Sequence, residues 1–546
     1  MGNTISENRE SVLTQDTNFI NASREYPTVF NIKCEYDDHR DSYVWKENDI
    51  VTENNDMLPI DCENVLIMSA GVHCGSKIDH VLDGYSWNVA IKISNNENPE
   101  ILLMSQAVKS ENDLYLHEEN GKRIKTGLFT SHMPLYKKLL GGNLFSLLSG
   151  NKPIERSTAH QPIFYPQMNT ILLCSMNKYH SFILDNNNMI EGGWTPSNNS
   201  KEYKCMHPHY DNKSKELLTY TFRHGVLKKY TKIKFFAYGD DANNPKITKY
   251  KINGDRAALH MFGYTQNYYI LFANSLKLEN GGERKIIFGE PILRTLDDNY
   301  VGDLVIHFIP RPGINKKSFS IDTNHKGHVY HSINCFEENN EIIIDAFVSN
   351  LNASRESAQF EINNNHNVYD NCGDPYRFFI NIPDENINKN PCCDKLLASL
   401  IDSTIDFHCV NNKYSGYKHK YSWILGHERI RDEYGNILKV ISKLSKIYTY
   451  DDHLFDSKKT ATHMIQSNDD TSNSCYWRTP LFIPKKNASS EDDGYIFLWS
   501  HEFEDNDKYI YILILSAIDL DLLVRLKLPD GYNIPYSVHS WIHYLT

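Results

Sequence analysis

The chain has 546 residues, of which 40% are hydrophobic and 34 are tyrosines, so it can bury a large core. Its formal net charge is −12 and it has no run of basic residues. This balance argues against a nucleic-acid partner, because phosphate binding requires clustered Lys and Arg. Its 11 cysteines show no CxxC pair and no regular spacing, which indicates free thiols in a reducing compartment.

The N-terminal part is polar and without a hydrophobic period, which predicts a flexible leader over residues 1–35 and a single domain over residues 36–546. The polar start is not that of a signal peptide, so we expect a cytoplasmic protein. Met1-Gly2-Asn3-Thr4-Ile5-Ser6 matches the N-myristoylation pattern, with Gly2 as the acceptor. A chance match is the alternative. One acyl chain would give reversible, peripheral membrane contact, with an association constant of roughly 10⁴ M⁻¹.

From Cys62 onward the chain is a succession of short apolar strands separated by Asn, Asp and Gly turns. Clear examples are residues 87–93, 233–238, 268–273, 304–309, 342–348 and 495–499. No series of βαβ units interrupts them, and an open sheet of this size would leave unprotected edges. The pattern therefore predicts an all-β fold with radial repetition, a β-propeller, and leaves the number of blades open.

The best helical pattern lies at residues 135–149, although Gly141 and Gly142 interrupt it. Two interpretations stay open: a cap helix packed on the sheets, or an apolar patch that contacts a membrane or opens a lipid-entry tunnel. The Asn- and Asp-rich stretches 350–388 and 467–474 contain little to pack, so we expect surface insertions without assigned structure.

Four histidines occur at the edges of β segments. His207 lies in a His-Pro-His cluster before a turn and an alternating strand at residues 217–222, and His260, His331 and His539 occupy similar positions. A lone histidine is more often a hydrogen-bonded core or surface residue, but a propeller brings the inner-strand ends of successive blades together at its axis. Four neutral imidazoles without a carboxylate suit iron, copper, nickel or zinc.

Several segments resemble, in order, the motifs of the carotenoid cleavage oxygenase family. Residues 207–218 resemble AHPxxDPxxGEL, 259–268 resemble MHDFxxTENY, 330–337 resemble FHHINTYE, and 534–539 resemble IPxxFH; residues 79–84 and 491–494 resemble two flanking motifs. The resemblance covers about residues 60–546. It implies a seven-bladed propeller with a helical cap over one face, and Fe(II) on the axis bound by His207, His260, His331 and His539. His160, His209, His325, His328 and His543 are out of register with the family ligands.

The residues that should support these ligands differ from the family pattern. A metal-bound imidazole usually donates its other N–H to a carboxylate. Where the family has three glutamates, this chain has Asn177 (or Ser175), Asp406 and Thr479. Asn and Thr can still accept a hydrogen bond, so the resemblance keeps iron as the expected metal.

The implied activity is that of a non-haem iron dioxygenase. Dioxygen would add across one double bond of an apolar polyene, a carotenoid or apocarotenoid, and give aldehyde or ketone products. No GxSxG, HExxH or P-loop motif indicates another chemistry. Rigid aromatic residues close to the ligands are candidates for a substrate tunnel, with ordinary core packing as the alternative: Phe262, Tyr264, Phe336 and Trp541.

Three other functions stay open. The family's animal branch includes a retinyl-ester isomerohydrolase, but residues 132–138 lack the Asp and Cys of that branch's PDPCK segment. Stilbene cleavage occurs in other branches. A propeller with altered supporting residues could also be a carotenoid-binding protein without activity.

Overall fold

The computed structural model describes residues 30–37, 42–45, 50–51, 62, 64–73, 85–94, 100–108, 161–185, 188–196, 202–224, 230–253, 257–275, 277, 279–287, 295–297, 300–349, 373–382, 392–396, 404–431, 437–448, 461–466, 474–504, 507–534 and 536–545. Nearly all of them lie in antiparallel strands or the turns between strands. The one α-helix within these ranges is α1 (Gly282–Ile287), and two short 3₁₀ turns cover Pro166–Met168 and Asn412–Tyr414.

The strands follow one another in chain order and group into seven blades. Blade 1 contains the first six strands, which are β1 (Phe30–Asp37), β2 (Ser42–Trp45), β3 (Ile50–Val51), β4 (Val65–His73), β5 (Tyr85–Ser94) and β6 (Glu100–Ala107). Blade 2 consists of β7 (Gln161–Tyr165), β8 (Thr170–Cys174), β9 (Tyr179–Asp185) and β10 (Asn188–Glu191). Blade 3 consists of β11 (Tyr203–Lys204), β12 (His209–Asp211), β13 (Glu216–His224), β14 (Tyr230–Tyr238) and β15 (Lys246–Asn253).

The next four blades repeat this arrangement. Blade 4 contains β16 (Ala257–Ala258), β17 (Phe262–Tyr264), β18 (Tyr268–Ser275), β19 (Asp303–Pro310) and β20 (Phe319–Lys326). Blade 5 contains β21 (Ser332–Glu338), β22 (Glu341–Val348), β23 (Asp374–Asn381) and β24 (Cys392–Leu396). Blade 6 contains β25 (Thr404–Cys409), β26 (Tyr421–Arg431), β27 (Ile437–Tyr448) and β28 (Ala461–Gln466). Blade 7 contains β29 (Ser474–Trp477), β30 (Leu481–Pro484), β31 (Gly494–Glu504), β32 (Asp507–Ser516) and β33 (Leu522–Lys527).

The C-terminal strand closes the ring. Strand β34 (Tyr536–Tyr544) pairs with β4 and becomes the inner strand of blade 1, whose other strands are β4, β5, β6 and the added β1 to β3. Joining the last strand to the first sheet removes the open edges that a linear array would leave. The predicted all-β, seven-bladed propeller is confirmed.

The core lies between neighbouring blades, because alternate residues of each strand face the blades on either side. Between blades 3 and 4, the rings of Phe235 and Tyr269 stack with centroids 4.5 Å apart. Trp87, Trp423 and Trp499 are among the largest fully buried side chains. Each fully buried side chain of this kind contributes roughly 1.5–3 kcal/mol relative to an exposed one, so these interfaces hold the blades in fixed positions around the axis.

Two boundaries differ from the sequence-based expectation. Strand β1 begins at Phe30, inside the span predicted as leader, and pairs with β6. Strand β23 lies inside the stretch 350–388 predicted as an insertion, with Phe378 and Ile380 fully buried. In both cases a short alternating apolar pattern stands within a polar, Asn-rich context. The helix predicted at residues 135–149, and with it the helical cap, lies outside the described residues, as do residues 1–29.

Candidate metal centre

The inner strands of the blades are interrupted at one level, and the candidate residues lie at these interruptions. Residues 205–208 separate β11 from β12, residues 259–261 separate β16 from β17, and residues 478–480 separate β29 from β30. The ladders of β21, β25 and β34 each contain a register shift at the corresponding place. Interrupted ladders and bulges redirect side chains away from the regular alternation, which allows several strands to point a side chain at the axis.

The four predicted histidines meet at this level. His207 Nε2 lies 2.9 Å from His260 Nε2, which in turn lies 3.2 Å from His331 Nε2. The ring of His539 lies with its centroid 4.7 Å from that of His207 and 4.8 Å from that of His331. His207 belongs to blade 3, His260 to blade 4, His331 immediately precedes the inner strand of blade 5, and His539 is in the inner strand of blade 1.

The ring of His207 is oriented by Gln161, the first residue of β7 in blade 2. His207 Nδ1 lies 2.7 Å from Gln161 Oε1, and both residues are buried. An amide oxygen only accepts, so this contact favours the tautomer with the proton on Nδ1 and the lone pair on Nε2. That lone pair is on the side where the other histidines converge. Sequence reasoning missed Gln161, because its partner is 46 residues away and nothing in the local pattern marks a buried glutamine.

The three residues predicted to support the ligands have different positions. Thr479 lies at the interruption of the blade 7 inner strand and lines the same cavity as His539. Asp406 lies at the register shift of β25, between Thr404 and Phe407; its side chain is outside the described part of the structure. Asn177 is half-buried in the turn between β8 and β9, and the cavity lining from blade 2 is Gln161 instead. Their supporting roles stay predictions.

The histidines predicted to be out of register make other contacts. His209 Nε2 donates to the carbonyl oxygen of Phe262 at 2.6 Å, and burial lowers the pKa of His209 to about 4. The ring of His543 packs on Phe164, with centroids 4.4 Å apart. His325 packs on the rings of Tyr376 and Phe378, and His328 packs on Tyr330. His160 lies outside the described residues.

A cavity of about 130 Å³ adjoins the histidines. Its wall includes two of the predicted tunnel aromatics, Tyr264 and Trp541, together with Phe407 and the neighbouring His408. The other two aromatics are core residues. Phe262 is fully buried against Tyr220 and Phe235, and Phe336 packs between the His419 ring and the Arg377 guanidinium.

His408 is a cavity residue that sequence reasoning missed. Burial, assisted by the neighbouring His331, His419 and His209, lowers the pKa of His408 to about 3, so the ring is neutral at physiological pH. Its Nδ1 is buried and has no hydrogen-bond partner among the described residues. The only sequence signal that could have indicated His408 was its position, directly after Asp406 and Phe407.

The loops around the cavity are held by buried polar networks. Asn334 Nδ2 donates to the carbonyl oxygens of Tyr414 and Tyr417, and its Oδ1 accepts from Gly416 N, which ties blade 5 to the turn before β26. Arg311, in the turn after β19, donates to Asp211 at 2.9 Å and to Glu216 at 2.9 Å. Both acids flank the turn that follows His207 and His209. The site is therefore supported by hydrogen bonds between blades as well as by the sheets.

The donor set fits a metal ion. One ligand atom from each of His207, His260 and His331 lies within 4.8 Å of the others. Nitrogens bound at right angles to one ion at about 2.1 Å, the usual length for imidazole on zinc, would be about 3.0 Å apart, close to the two observed separations. Imidazole ligands alone suit zinc, copper, iron and nickel. The described residues thus form a candidate metal centre without fixing the element.

Comparison with known proteins agrees with this geometry. The family model described as "Retinal pigment epithelial membrane protein" matches residues 67–543, which contain all four histidines. The chain belongs to this family. The same family includes the carotenoid cleavage oxygenases that the sequence motifs resemble.

Curated relatives are distant and are matched over part of their length. The chain is 22% identical over 297 residues to carotenoid 9,10(9',10')-cleavage dioxygenase 1 of Pisum sativum, covering 53% of this chain and 49% of the relative. It is 24% identical over 364 residues to the chloroplastic carotenoid cleavage dioxygenase 7 of Arabidopsis thaliana, covering 61% and 56%. It is 24% identical over 300 residues to apocarotenoid-15,15'-oxygenase of Synechocystis, covering 52% of each. The chain thus spans about half the length of the curated relatives it matches.

Solved structures share the fold over nearly the whole chain. A mutant of the Synechocystis apocarotenoid oxygenase superposes with a TM-score of 0.70 at 17% identity, covering 97% of this chain and 98% of the other. The cobalt-substituted form of the same oxygenase gives a TM-score of 0.69 at 17% identity, with the same coverage. At this identity the likeness establishes the propeller fold.

Proposed function

We propose that this protein is an Fe(II)-dependent dioxygenase that cleaves one double bond of a carotenoid or apocarotenoid to give aldehyde or ketone products. The observation that carries the proposal is the convergence of His207, His260, His331 and His539 beside an aromatic-lined cavity. The names of the curated relatives, which are carotenoid and apocarotenoid oxygenases, support the substrate class.

Bound iron would supply the activation of dioxygen, and the chain's own residues would position the substrate. In the balanced reaction one C=C bond and one O₂ give two C=O groups, so no residue has to supply or accept a proton. Tyr264 donates its hydroxyl proton to the Ser415 carbonyl oxygen, which fixes the ring in the cavity wall. A rigid aromatic wall packs on a conjugated chain and selects which double bond lies beside the histidines.

Product analysis with and without dioxygen tests this proposal. The iron-loaded protein is incubated with carotenoids, apocarotenoids, a retinyl ester and stilbenes under air, under argon and under ¹⁸O₂, and products are identified by mass. We expect aldehydes or ketones from a carotenoid or apocarotenoid under air and under ¹⁸O₂, with ¹⁸O incorporated in the second case, none under argon, and none from His260→Ala. Products that persist under argon would favour the retinyl-ester isomerohydrolase type of reaction. A polyene that binds without turnover would favour a carotenoid-binding protein, and turnover of stilbenes alone would place the substrate in that class.

We also propose a reversible membrane contact through an acyl chain on Gly2, where an apolar substrate would be available. The support is the sequence pattern of Met1 to Ser6; Gly2 itself lies outside the described residues. Within the described ranges, no helix is long and apolar enough to cross a membrane.

Fractionation of cells tests the acyl anchor. Gly2→Ala removes the acceptor and is expected to move the protein from the membrane fraction to the supernatant. Asn3→Ala is the matched control, because it changes the neighbouring residue and keeps the acceptor. Equal partitioning of Gly2→Ala and the wild type would contradict the proposal.

A further inference from the structure

We infer that Gln161 is a positioning residue of the metal centre, where its amide oxygen is the hydrogen-bond acceptor for His207. The inference rests on the proposed metal site and names the residue that prepares one of its ligands. It concerns a contact between blades 2 and 3 that none of the sequence motifs contains.

The contact between Gln161 and His207 is short and buried. The Nδ1–Oε1 distance of 2.7 Å is at the short end of the range for N–H···O hydrogen bonds. His207 is 1% exposed and Gln161 is 9% exposed, so water has little access to this bond. A buried His207 Nδ1–H left without an acceptor would be destabilised, because no water replaces the lost partner. Gln161 thus holds the Nδ1–H form of the ring, and the Nε2 lone pair faces His260.

Backbone structure fixes Gln161 in place. It is the first residue of β7 and pairs with Cys174 of β8, so its Cα is held by the ladder of blade 2. Pro162 follows it and pairs with Leu173. Proline restricts the backbone and donates no hydrogen bond, which is tolerated on an inner edge strand. The side chain therefore starts from a rigid point and spans the gap to blade 3.

A neutral acceptor has a specific consequence for the ligand. A carboxylate strengthens the donation of a bound imidazole more than a neutral amide does, because the charged acceptor polarises the N–H bond further. The His207 ligand of this chain is thus oriented without an added negative charge. Gln161→Glu introduces a negative charge at nearly constant volume, Gln161→Asn shortens the side chain, and Gln161→Leu removes the acceptor.

Metal binding and ring tautomer together test the inference. Apo-protein is titrated with Co²⁺ and followed by its visible ligand-field absorption, and thermal unfolding of each apo-variant checks the fold. We expect Gln161→Leu and Gln161→Asn to bind Co²⁺ about 10- to 100-fold more weakly than the wild type, the usual cost of losing such a partner. Gln161→Glu should bind at least as tightly as the wild type. Equal affinity of the wild type and a folded Gln161→Leu would overturn the inference and leave the metal site standing.

A second measurement does not depend on metal. Long-range ¹⁵N–¹H correlation spectra of apo-protein with ¹⁵N-labelled histidine report the protonated ring nitrogen, and His207→Asn assigns the His207 signal. We expect the Nδ1–H form in the wild type and in Gln161→Glu, and loss of that preference in Gln161→Leu. An Nε2–H form in the wild type would overturn the inference. A wild type that shows the Nδ1–H form but binds no metal would instead contradict the proposed function.

Discussion

Replacing His260 with alanine is expected to abolish stoichiometric iron binding. Its Nε2 lies 2.9 Å from that of His207 and 3.2 Å from that of His331, so it contacts two of the other three histidines. Without it, the Nε2 atoms of His207 in blade 3 and His331 in blade 5 lose the ring nitrogen that lies close to both. Loss of a supporting partner alone weakens metal binding by about 10- to 100-fold, and loss of a ligand should exceed this range. Metal analysis of the purified protein should fall from about one iron per chain to a trace.

The matched control for this experiment is His325→Ala. His325 is also a histidine on a propeller strand, but its ring packs on Tyr376 and Phe378 rather than on the four-histidine group. It should keep the iron content of the wild type. Circular dichroism checks that both variants are folded. A folded His260→Ala that retains full iron, or a folded wild type that binds none, would contradict the assignment of the centre.

The four histidines could be predicted because each stands in a motif that is readable locally. His260 is preceded by Leu259 and followed by a strand, and the propeller topology brings it to the axis. These motifs can be recognised without knowing which blades are neighbours in the fold. Strands with a largely apolar local sequence, such as those at 233–238 and 342–348, were predictable for the same reason.

Gln161 and His408 were not predictable in this way, because their roles depend on contacts between blades. Gln161 contacts His207 only because the fold places β7 beside the interrupted inner strand of blade 3. His408 is distinguished by burial, which the sequence near residue 406 does not reveal. Likewise, Phe262 is close to His260 in sequence, yet its side chain faces the core between blades 3 and 4. Proximity along a strand does not determine the face on which a side chain lies where the ladder is interrupted.

Replacing Arg311 with methionine is expected to destabilise the protein by about 3–5 kcal/mol, because it leaves the buried Asp211 without its cation and removes one of the two cations of Glu216. The side chains of Arg311, Asp211 and Glu216 are 8%, 1% and 10% exposed, respectively. Arg311 also donates to the Thr265 carbonyl oxygen, which joins the turn after His209 to blade 4. Urea unfolding at about pH 7 measures the loss. Lys246→Met is the matched control: it removes a second cation from Glu216, but Lys246 is 65% exposed, so a cost below about 1 kcal/mol is expected.

The pH dependence of the stability loss in Arg311→Met distinguishes an uncompensated buried charge from a simple packing defect. Burial alone would raise the pKa of Asp211, but the hydrogen bond and charge of Arg311 lower it below its ordinary 3.8. At Glu216, burial raises the pKa, whereas Lys246 and Arg311 lower it. The net pKa lies below the ordinary value of 4.5. Groups with lowered folded pKa values stabilise the wild type above those ordinary values, and this contribution is lost as the pH falls through the folded values.

In Arg311→Met, Asp211 keeps its hydrogen bonds from Ser214 and from the Lys213 backbone but loses the cation that opposes its burial. Its pKa should therefore rise, so the acid can become neutral at a mildly acidic pH. The stability difference between wild type and variant should therefore shrink from about pH 7 to about pH 5. A difference that stays constant over this interval would indicate lost packing instead of an uncompensated charge. Because Asp211 lies four residues after His207, the same variant should also loosen the turn that positions this ligand, and its Co²⁺ affinity should fall together with its stability.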